Sequence, residues 1–351
     1  MSYRLPVREV VAETADACSL VLAVPPELTE TFAYRPGQYL TVLVPRDDGR
    51  VARCYSLSSS PHTDKDLKIT IKRVRDGQAS NWICDHVRAG DTIELLAPAG
   101  DFTPESLDDD LLLLAGGSGI TPAMAIIKSV LAGGRGRLTL IYANRDPSSI
   151  IFAAELAGLT RRHGDRLTVT HWLDSERGAP GPATLAGLIT GTGRWAYVCG
   201  PDPFVVIARD ALRRAGVPQD RVRVERFALD EVPAGEAKVV AAPAGETAPA
   251  GDATVHQAAT GEATLDVELD GQTHRLPWPA GKRMLDVVIE AGLNPPFSCR
   301  QGHCGACACR LLSGKVEMVN NEILEEEDFA EGYVLACQSV ARSDHVAVTY
   351  Y

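Results

Sequence analysis

The chain has 351 residues, of which 45% are hydrophobic and 23% are charged, and its formal net charge is −11. This length exceeds one ordinary core, so two or three domains are expected, and the acidic balance disfavours nucleic acid as a partner. The amino terminus lacks an apolar run of signal-peptide length, and the most apolar stretch, LLLLAGGSGITPAMAIIKSVLAGG, is interrupted by polar residues, Gly and Pro. No membrane-spanning or export segment is predicted, so a cytoplasmic protein is expected.

Residues 1–106 carry short runs in which apolar and polar residues alternate between turn signals. The runs YLTVLVP, DLKITIKRV and DTIELLAP each predict a strand. Between the second and third of them, SNWICDHV predicts a helix. This part of the chain is therefore predicted to be a small antiparallel β-barrel or sandwich.

Residues 107–230 alternate buried apolar runs with helical patterns. LLLLA, LTLIYA, LTVTHWL, WAYVCG and VRVERF predict parallel strands, and PAMAIIKSVLAG and DPFVVIARDALRRAG predict helices between them. That order is typical of a doubly wound α/β domain. Gly116, Gly117 and Gly119 follow the first strand, where a glycine turn lets a pyrophosphate meet the backbone amides at a helix start. An ordinary strand-to-helix turn is the alternative.

Residues 231–262 are dominated by Ala, Pro, Gly and Glu and show no lasting helical or strand period. A flexible linker is predicted, because so long a stretch without structure is unusual inside a compact domain. A loose surface loop is the alternative. Residues 263–351 have the size of one small domain, which begins with a hairpin around Asp270 and Gly271.

Four of the nine cysteines follow the spacing Cys299-x4-Cys304-x2-Cys307, and Cys337 comes after 29 further residues. This is the plant-type ferredoxin spacing for a 2Fe–2S cluster, and the small residues within the loop let backbone N–H groups approach the sulfurs. A structural zinc site is the alternative, although such sites pair two short knuckles, whereas here three ligands share one loop. Cys309 has no place in the ligand spacing and is expected to be a small buried residue.

Motifs in all three parts resemble the ferredoxin–NADP reductase superfamily. RCYS begins at Arg53, GQAS begins at Gly77, and YVCGP begins at Tyr197. The segments PFSCRQGHCGACACRLLSGKV and VLACQSV resemble the ferredoxin module that is fused to the carboxyl end of some of these reductases. The resemblance implies an FAD-binding antiparallel β-barrel, an NAD(P)-binding doubly wound α/β domain and a β-grasp ferredoxin domain, in that order.

For the flavin, the resemblance implies that Arg53 binds a phosphate, Tyr55 offers a face to the isoalloxazine and Ser56 hydrogen-bonds its N5 edge. A second phosphate turn leads into a helix and favours FAD over FMN. The residues of that turn are Gly77, Gln78, Ala79 and Ser80. The remaining cysteines of this part, which are expected to serve packing, are Cys18, Cys54 and Cys84.

For the nicotinamide, the resemblance implies a strand end at which Cys199 has a positional and not a nucleophilic role. The residues implied to lie beside the nicotinamide are Thr121, Cys199, Gly200 and Pro201. The final strand is implied to bring Glu225 and Phe227 near the flavin. Ser56, Thr121, Cys199 and Glu225 are the candidates for direct participation in hydride transfer.

The choice between NADH and NADPH depends on the end of the second strand, where the adenosine ribose is expected. Arg145 lies there and could accept a 2′-phosphate, which favours NADPH, although Asp146 is close. The family resemblance favours NADH, and NADH is the expected coenzyme.

A nicotinamide delivers two electrons as a hydride, whereas a plant-type 2Fe–2S cluster accepts one electron at a time, at a potential of roughly −400 mV. Because flavin handles both, the predicted path runs from NAD(P)H to FAD and then to the cluster. No oxygenase module is recognised, so the electrons are expected to go to a separate terminal oxygenase. Residues 263–351 hold thirteen acidic and seven basic residues, which suggests an acidic docking surface, with a merely solvated face as the alternative.

The segments HWLDSERGAP, PFSCRQGHCGACAC and LACQSVARSDHVAVTYY resemble the reductase components of 3-ketosteroid 9α-hydroxylases of actinobacterial sterol breakdown. The reductases of phenylacetyl-CoA epoxidation share the same domain order, so a reductase for that epoxidase, or for another ring-hydroxylating oxygenase, is the alternative. The resemblance implies a Rieske-type oxygenase as partner. The acidic charge and the lack of a long apolar segment predict no nucleic-acid and no membrane partner, and a monomer is expected. A redox-sensing or interaction protein, whose cofactors report and do not transfer electrons, is the alternative from another class.

Overall fold

The structure is a computed structural model that describes most of the chain. The described residues are 2–46, 49–75, 77–191, 194–225, 239–241, 263–269, 271–293, 295–297, 302, 305–321, 323–324 and 326–350. The chain divides into two compact units, one of residues 1–44 with 53–229 and the other of residues 45–52 with 230–351.

The amino-terminal sheet is formed by six strands. They are β1 (Tyr3–Thr14), β2 (Ala17–Leu22), β3 (Tyr39–Arg46), β4 (Gly49–Ser56), β5 (Leu67–Lys72) and β6 (Thr92–Leu95). Their order is β4-β3-β6-β1-β2-β5, and the described pairings are antiparallel. Alternation along β5 buries Leu67, Ile69 and Ile71 on one face of the sheet, and helix α1 (Gln78–His86) follows this strand. The predicted antiparallel barrel domain is confirmed.

A five-stranded parallel sheet follows. Its strands are β7 (Leu111–Gly116), β8 (Leu138–Asn144), β9 (Leu167–Leu173), β10 (Trp195–Cys199) and β11 (Val222–Glu225). The strand order is β11-β10-β7-β8-β9. The helices of this domain are α2 (Ile120–Gly133), α3 (Ala153–Arg162), α4 (Asp174–Arg177), α5 (Pro182–Leu188) and α6 (Asp202–Arg214).

Two separate apolar clusters cover the faces of the parallel sheet. Leu111 and Leu113 belong to the cluster that includes α2, whereas Leu112 and Leu114 belong to the cluster that includes α6. Burial on both faces explains the unbroken run of leucines and confirms the doubly wound prediction. The order of the strands reverses between β7 and β10, which is where ligands bind in such sheets, outside the carboxyl ends.

The second unit contains a mixed sheet and a small antiparallel sheet. Its strands are β12 (Val239–Ala241), β13 (Ala263–Leu269), β14 (Gln272–Trp278), β15 (Ala308–Ser313), β16 (Lys315–Met318), β17 (Tyr333–Leu335), β18 (Ser339–Ala341) and β19 (His345–Thr349). The larger sheet has the order β14-β13-β19-β15-β17, with β13 and β19 parallel, and the smaller has the order β12-β16-β18. The described residues of this unit also form helices α7 (Met284–Glu290) and α8 (Glu326–Ala330), and the predicted β-grasp domain is confirmed.

The predicted linker, residues 231–262, is described only at β12, and its other residues lie outside the described part of the chain. There the structure differs from the expectation of no lasting strand pattern, because β12 pairs antiparallel with β16. Two adjacent valines favour an extended backbone, and three residues are too few to show a period in the sequence. Of the helices described, each is too short or too polar to cross a bilayer.

Candidate functional site

The turn before α1 has no room for a side chain at Gly77. A Cβ there would lie 2.8 Å from the Cβ of Val74 and 2.9 Å from the Oγ of Ser80. The backbone N–H of Val74 donates to Ser80 Oγ at 3.1 Å, which closes the turn and leaves the hydroxyl proton of Ser80 able to donate elsewhere. Ala79 and Ser80 are buried, and Gln78 is exposed. Because the first N–H groups of α1 have no partner within the helix, this tight turn fits the phosphate that the sequence predicts for it.

The three predicted flavin residues of β4 divide between the two faces of the strand. Side chains alternate along a strand, so Arg53 and Tyr55 share one face and Ser56 occupies the other. Burial raises the pKa of the Tyr55 phenol above its usual range, so the ring stays neutral near an electron carrier. A neutral aromatic face beside a guanidinium fits a bound isoalloxazine with its phosphates.

Ser56 contacts a carboxyl group that lies 169 positions away in the sequence. Its hydroxyl donates to Glu225 Oε2 at 3.4 Å, and both side chains are buried. Burial raises the pKa of Glu225 from 4.5 to about 8, and the hydrogen bond from Ser56 opposes that rise. The two residues therefore form one hydrogen-bonded pair that can keep a proton at neutral pH. The sequence analysis predicted each of them as a site residue but did not predict their contact.

Close packing fixes the glycine turn after β7 against the end of β10. A Cβ at Gly119 would overlap the carbonyl oxygen of Cys199, and a Cβ at Gly116 would lie 2.8 Å from the ring of Phe204. Gly117 has a φ of +52°, in the left-handed region. The turn therefore needs glycine for space as well as conformation, and it brings backbone amides to the reversal point of the sheet, as a bound pyrophosphate requires.

The predicted nicotinamide residues gather at the same edge. Cys199 is paired in register with Glu225 of β11, and Thr121 Oγ1 donates to the carbonyl oxygen of Ser118 at 3.0 Å. Burial, reinforced by the nearby Glu225 carboxyl, raises the pKa of the Cys199 thiol, so this sulfur stays protonated and is suited to a positional role. Gly200 and Pro201 follow, and Pro201 precedes the first turn of α6.

Three charged residues that come from distant parts of the chain lie beside the glycine turn. Arg145 Nη2 is 2.9 Å from Asp16 Oδ2, and Lys72 Nζ is 3.8 Å from the same oxygen. A Cβ on Gly117 would lie 3.6 Å from Lys72 Nζ, so this ammonium group is next to the pyrophosphate turn. Sequence analysis named Arg145 but missed Lys72 and Asp16, because no local pattern joins them to the nicotinamide motifs.

The two described cluster cysteines are buried next to each other. The backbone N–H of Cys337 donates to Cys307 Sγ at 3.4 Å, and Gln338 Nε2 donates to Cys337 Sγ at 3.4 Å. Gly302, which lies between the predicted ligands Cys299 and Cys304 in the sequence, has a φ of +84°. Buried sulfurs that receive N–H groups suit thiolate ligands of an iron–sulfur cluster, so this half of the site fits the predicted group.

Other candidates have different outcomes. Cys299 and Cys304, the remaining predicted ligands, and Phe227, the remaining flavin candidate, lie outside the described residues. Cys309 is buried with its Sγ 3.8 Å from Met284 Sδ, as expected for a packing residue.

The cysteines of the amino-terminal domain behave differently from one another. Cys54 contacts Thr41 Oγ1 at 3.5 Å. Cys18 and Cys84, however, lie with their sulfurs 3.1 Å apart, a pairing that the sequence does not predict.

These folds and sites define a class of protein: an oxidoreductase that carries electrons from a nicotinamide through FAD to a 2Fe–2S cluster. Three sequence families match the chain in that order. They are the oxidoreductase FAD-binding domain over residues 4–103, the oxidoreductase NAD-binding domain over residues 113–210, and the 2Fe-2S iron-sulfur cluster binding domain over residues 267–342.

The ferredoxin reductase component of 3-ketosteroid-9-alpha-monooxygenase from Mycobacterium tuberculosis is 51% identical to this chain, over 99% of this chain and 95% of that protein. One of the subunits of 1,2-phenylacetyl-CoA epoxidase from Escherichia coli K12 is 31% identical, over 99% and 97%. The solved structure of phthalate dioxygenase reductase covers 99% of this chain and 98% of its own, with a TM-score of 0.57 and 23% identity, and so supports the fold. The chain belongs to the family of 3-ketosteroid-9-alpha-monooxygenase ferredoxin reductase components.

Proposed function

We propose that this chain supplies electrons from NADH to a separate Rieske-type oxygenase that hydroxylates a 3-ketosteroid. The observation that carries the proposal is the 51% identity, across nearly the full length of both chains, to the ferredoxin reductase component of 3-ketosteroid-9-alpha-monooxygenase. Identity to the phenylacetyl-CoA epoxidase protein is much lower, at 31%. The acidic balance of residues 263–351 would steer a basic patch of the oxygenase toward the cluster domain.

When bound, FAD would supply the ability to take up two electrons as a hydride and to give up one electron at a time. The chain's own residues prepare the site for this chemistry. The amides of the glycine turn and the charge of Lys72 bind the pyrophosphate of the coenzyme. The buried thiol of Cys199 and the side chain of Thr121 limit the positions open to the nicotinamide ring.

Ser56 and Glu225 hold a proton where the N5 edge of the flavin is expected. Because both side chains are buried, water does not compete for that hydrogen bond. In the second unit, the N–H groups of Cys337 and Gln338 stabilise charge on the cluster sulfurs.

Reconstitution with oxygenases tests the proposed function. The purified holoprotein is mixed with NADH, a 3-ketosteroid and the oxygenase component of a 3-ketosteroid 9α-hydroxylase, and product is followed by mass spectrometry. Hydroxylation coupled to NADH consumption is expected. The oxygenase part of the epoxidase with phenylacetyl-CoA serves as the comparison, and faster turnover with that oxygenase would reject the steroid assignment.

NADH is the proposed coenzyme because the arginine that could accept a 2′-phosphate is already paired with an acid. Asp16 lies 2.9 Å from the Arg145 guanidinium and 3.8 Å from the Lys72 ammonium. A 2′-phosphate approaching Arg145 would be repelled by the negative charge of Asp16. The unphosphorylated ribose of NADH carries no charge at that position and would not be repelled. Within this group of charges, Lys72 therefore favours binding of the pyrophosphate, whereas Asp16 disfavours the phosphorylated coenzyme.

Asp16→Asn is expected to raise kcat/KM for NADPH about fivefold and to change kcat/KM for NADH less than about twofold, since removing one partly exposed charge alters a phosphate interaction by about 1 kcal/mol. Steady-state kinetics with both coenzymes measures the ratio. Asp210→Asn is the matched control, because Asp210 also pairs with arginines but on α6, with no part in this cluster. An unchanged ratio in the Asp16 variant would remove Asp16 from coenzyme selection.

A further inference from the structure

Two cysteines that the electron path does not use are in contact in the amino-terminal domain. Cys18 Sγ in β2 and Cys84 Sγ in α1 are 3.1 Å apart, and both are free thiols. Both side chains are only partly buried, so a small oxidant in solvent reaches them without unfolding of the domain. A disulfide requires an S–S distance of about 2.05 Å, so the pair needs a movement of only about 1 Å to become covalent.

The surrounding residues hold the two thiols in place. Cys18 is paired in register with Ile71 of β5, and Arg73 follows directly after that strand. The Arg73 guanidinium lies 2.6 Å from Asp85 Oδ1, one residue from Cys84, and 3.5 Å from Asn81 Oδ1. Arg73 therefore connects the end of β5 to α1. Because β5 is paired with β2, this contact holds α1 close to β2 and the two sulfurs close to each other.

The same surroundings distinguish the two sulfurs chemically. The hydrogen bond with Cys18 lowers the pKa of the Cys84 thiol, and the positive charge of Arg73 lowers it further, although burial acts in the opposite direction. That hydrogen bond, together with burial, raises the pKa of Cys18. Cys84 is thus suited to be the attacking thiolate and Cys18 the resolving thiol.

We propose that Cys18 and Cys84 form a dithiol site that hydrogen peroxide oxidises to a disulfide. The Cys84 thiolate attacks one peroxide oxygen, the O–O bond breaks, and the departing hydroxide takes up a proton to become water. The resulting sulfenic acid on Cys84 is attacked by the sulfur of Cys18, which forms the S–S bond and releases a second water. Two electrons pass from the two sulfurs to the peroxide, so the step balances without another reactant.

The disulfide would connect β2 to α1, the helix that begins at the Gly77–Ser80 phosphate turn. The bridge would close a loop between positions 66 apart in the sequence, which restricts the unfolded chain. The dithiol site itself does not depend on the steroid function or on the identity of the oxygenase. Any effect of the disulfide on flavin binding would act through α1, and it rests on the proposed role of the Gly77–Ser80 turn in binding a phosphate.

Peptide mass spectrometry of the peroxide-treated holoprotein tests the site. At peroxide concentrations that leave the cluster absorbance intact, we expect a cross-linked peptide that joins Cys18 to Cys84, with the loss of two hydrogens and reversal by dithiothreitol. The Tm is expected to rise by roughly 5 °C on oxidation. No Cys18–Cys84 peptide in the wild-type chain under these conditions would overturn the proposal.

Single variants assign the roles of the two sulfurs. Cys18→Ser is expected to accumulate a sulfenic acid on Cys84 that dimedone traps, whereas Cys84→Ser should give little trapped product on Cys18. Cys54→Ser is the matched control, since Cys54 is also partly buried but contacts Thr41, and it should keep the cross-link. Dimedone adducts mainly on Cys18 would reverse the assigned order, and loss of the cross-link in the Cys54 variant would reject the pairing.

Discussion

Cys337→Ala is expected to abolish the 2Fe–2S cluster while the rate of hydride transfer from NADH to the flavin stays within about twofold of the wild-type rate. Cys337 supplies a predicted ligand sulfur, which also accepts a hydrogen bond from Gln338 Nε2, and alanine removes that sulfur. Alanine keeps the backbone N–H that donates to Cys307 Sγ, so the loss of the cluster would be due to the missing ligand. The residues proposed for hydride transfer lie in the other compact unit. Iron content and the electron paramagnetic resonance signal report the cluster, and stopped-flow bleaching of the flavin reports the hydride step.

Cys309→Ala is the matched control for that variant. Cys309 lies in the same part of the chain and is equally buried, but its sulfur contacts Met284 and Val334. It should retain iron, the resonance signal and electron delivery to the oxygenase. A Cys337 variant that kept a full complement of iron would mean that another residue completes the cluster, and a large loss of hydride transfer would mean that the two units fold interdependently.

The features that the sequence predicted are those encoded by local patterns. The four leucines of β7 are apolar without alternation, which a strand covered on both faces requires, and the structure divides them between two apolar clusters. Leu67, Ile69 and Ile71 alternate instead, which predicts a strand with one buried apolar face, because successive side chains of a strand point to opposite faces. Cysteine spacing identifies an iron–sulfur loop because three of the ligands belong to one short segment.

The contacts that the sequence did not predict join segments that are far apart along the chain. Ser56 and Glu225 meet only because the end of β4 lies against the end of β11, and no periodicity in either strand specifies that contact. Asp16 is in the turn between β1 and β2, yet it pairs with Lys72 and Arg145. Such contacts depend on how whole domains pack. The residues that make them lie in ordinary turns and strand ends, so no local sequence pattern indicates them.

Glu225→Gln is expected to lower the rate of flavin reduction by NADH between about tenfold and a hundredfold at pH 7, and to remove a pH dependence centred near 8. Glutamine keeps the size of the side chain and its contact with Ser56 but has no proton to exchange. The raised pKa, about 8, belongs to a buried carboxyl, so the wild-type rate should change as this group ionises. Stopped-flow flavin reduction between pH 6 and pH 9.5 checks the profile.

The same substitution is expected to stabilise the protein at neutral pH. Glu225 has a pKa of about 8 in the folded state against an ordinary value of 4.5, so above pH 4.5 the unfolded chain releases a proton that the folded chain retains. The free energy of unfolding therefore falls as the pH rises from 4.5 to 8, by about 3 kcal/mol at pH 7. Glutamine escapes this penalty, so denaturant midpoints of variant and wild type should differ at pH 7 and converge near pH 4.5.

Ser56→Ala separates the hydrogen bond from the carboxyl itself. The bond from Ser56 favours the ionised form of Glu225, so its removal should move the midpoint of the pH–rate profile to higher pH, with the carboxyl still present. If Ser56 and Glu225 act together, the midpoint of the pH–rate profile should move to higher pH in Ser56→Ala, and the profile should be flat in Glu225→Gln. A profile that keeps its wild-type midpoint in both variants would assign the ionisation to another group, since neither change would have altered the group being titrated.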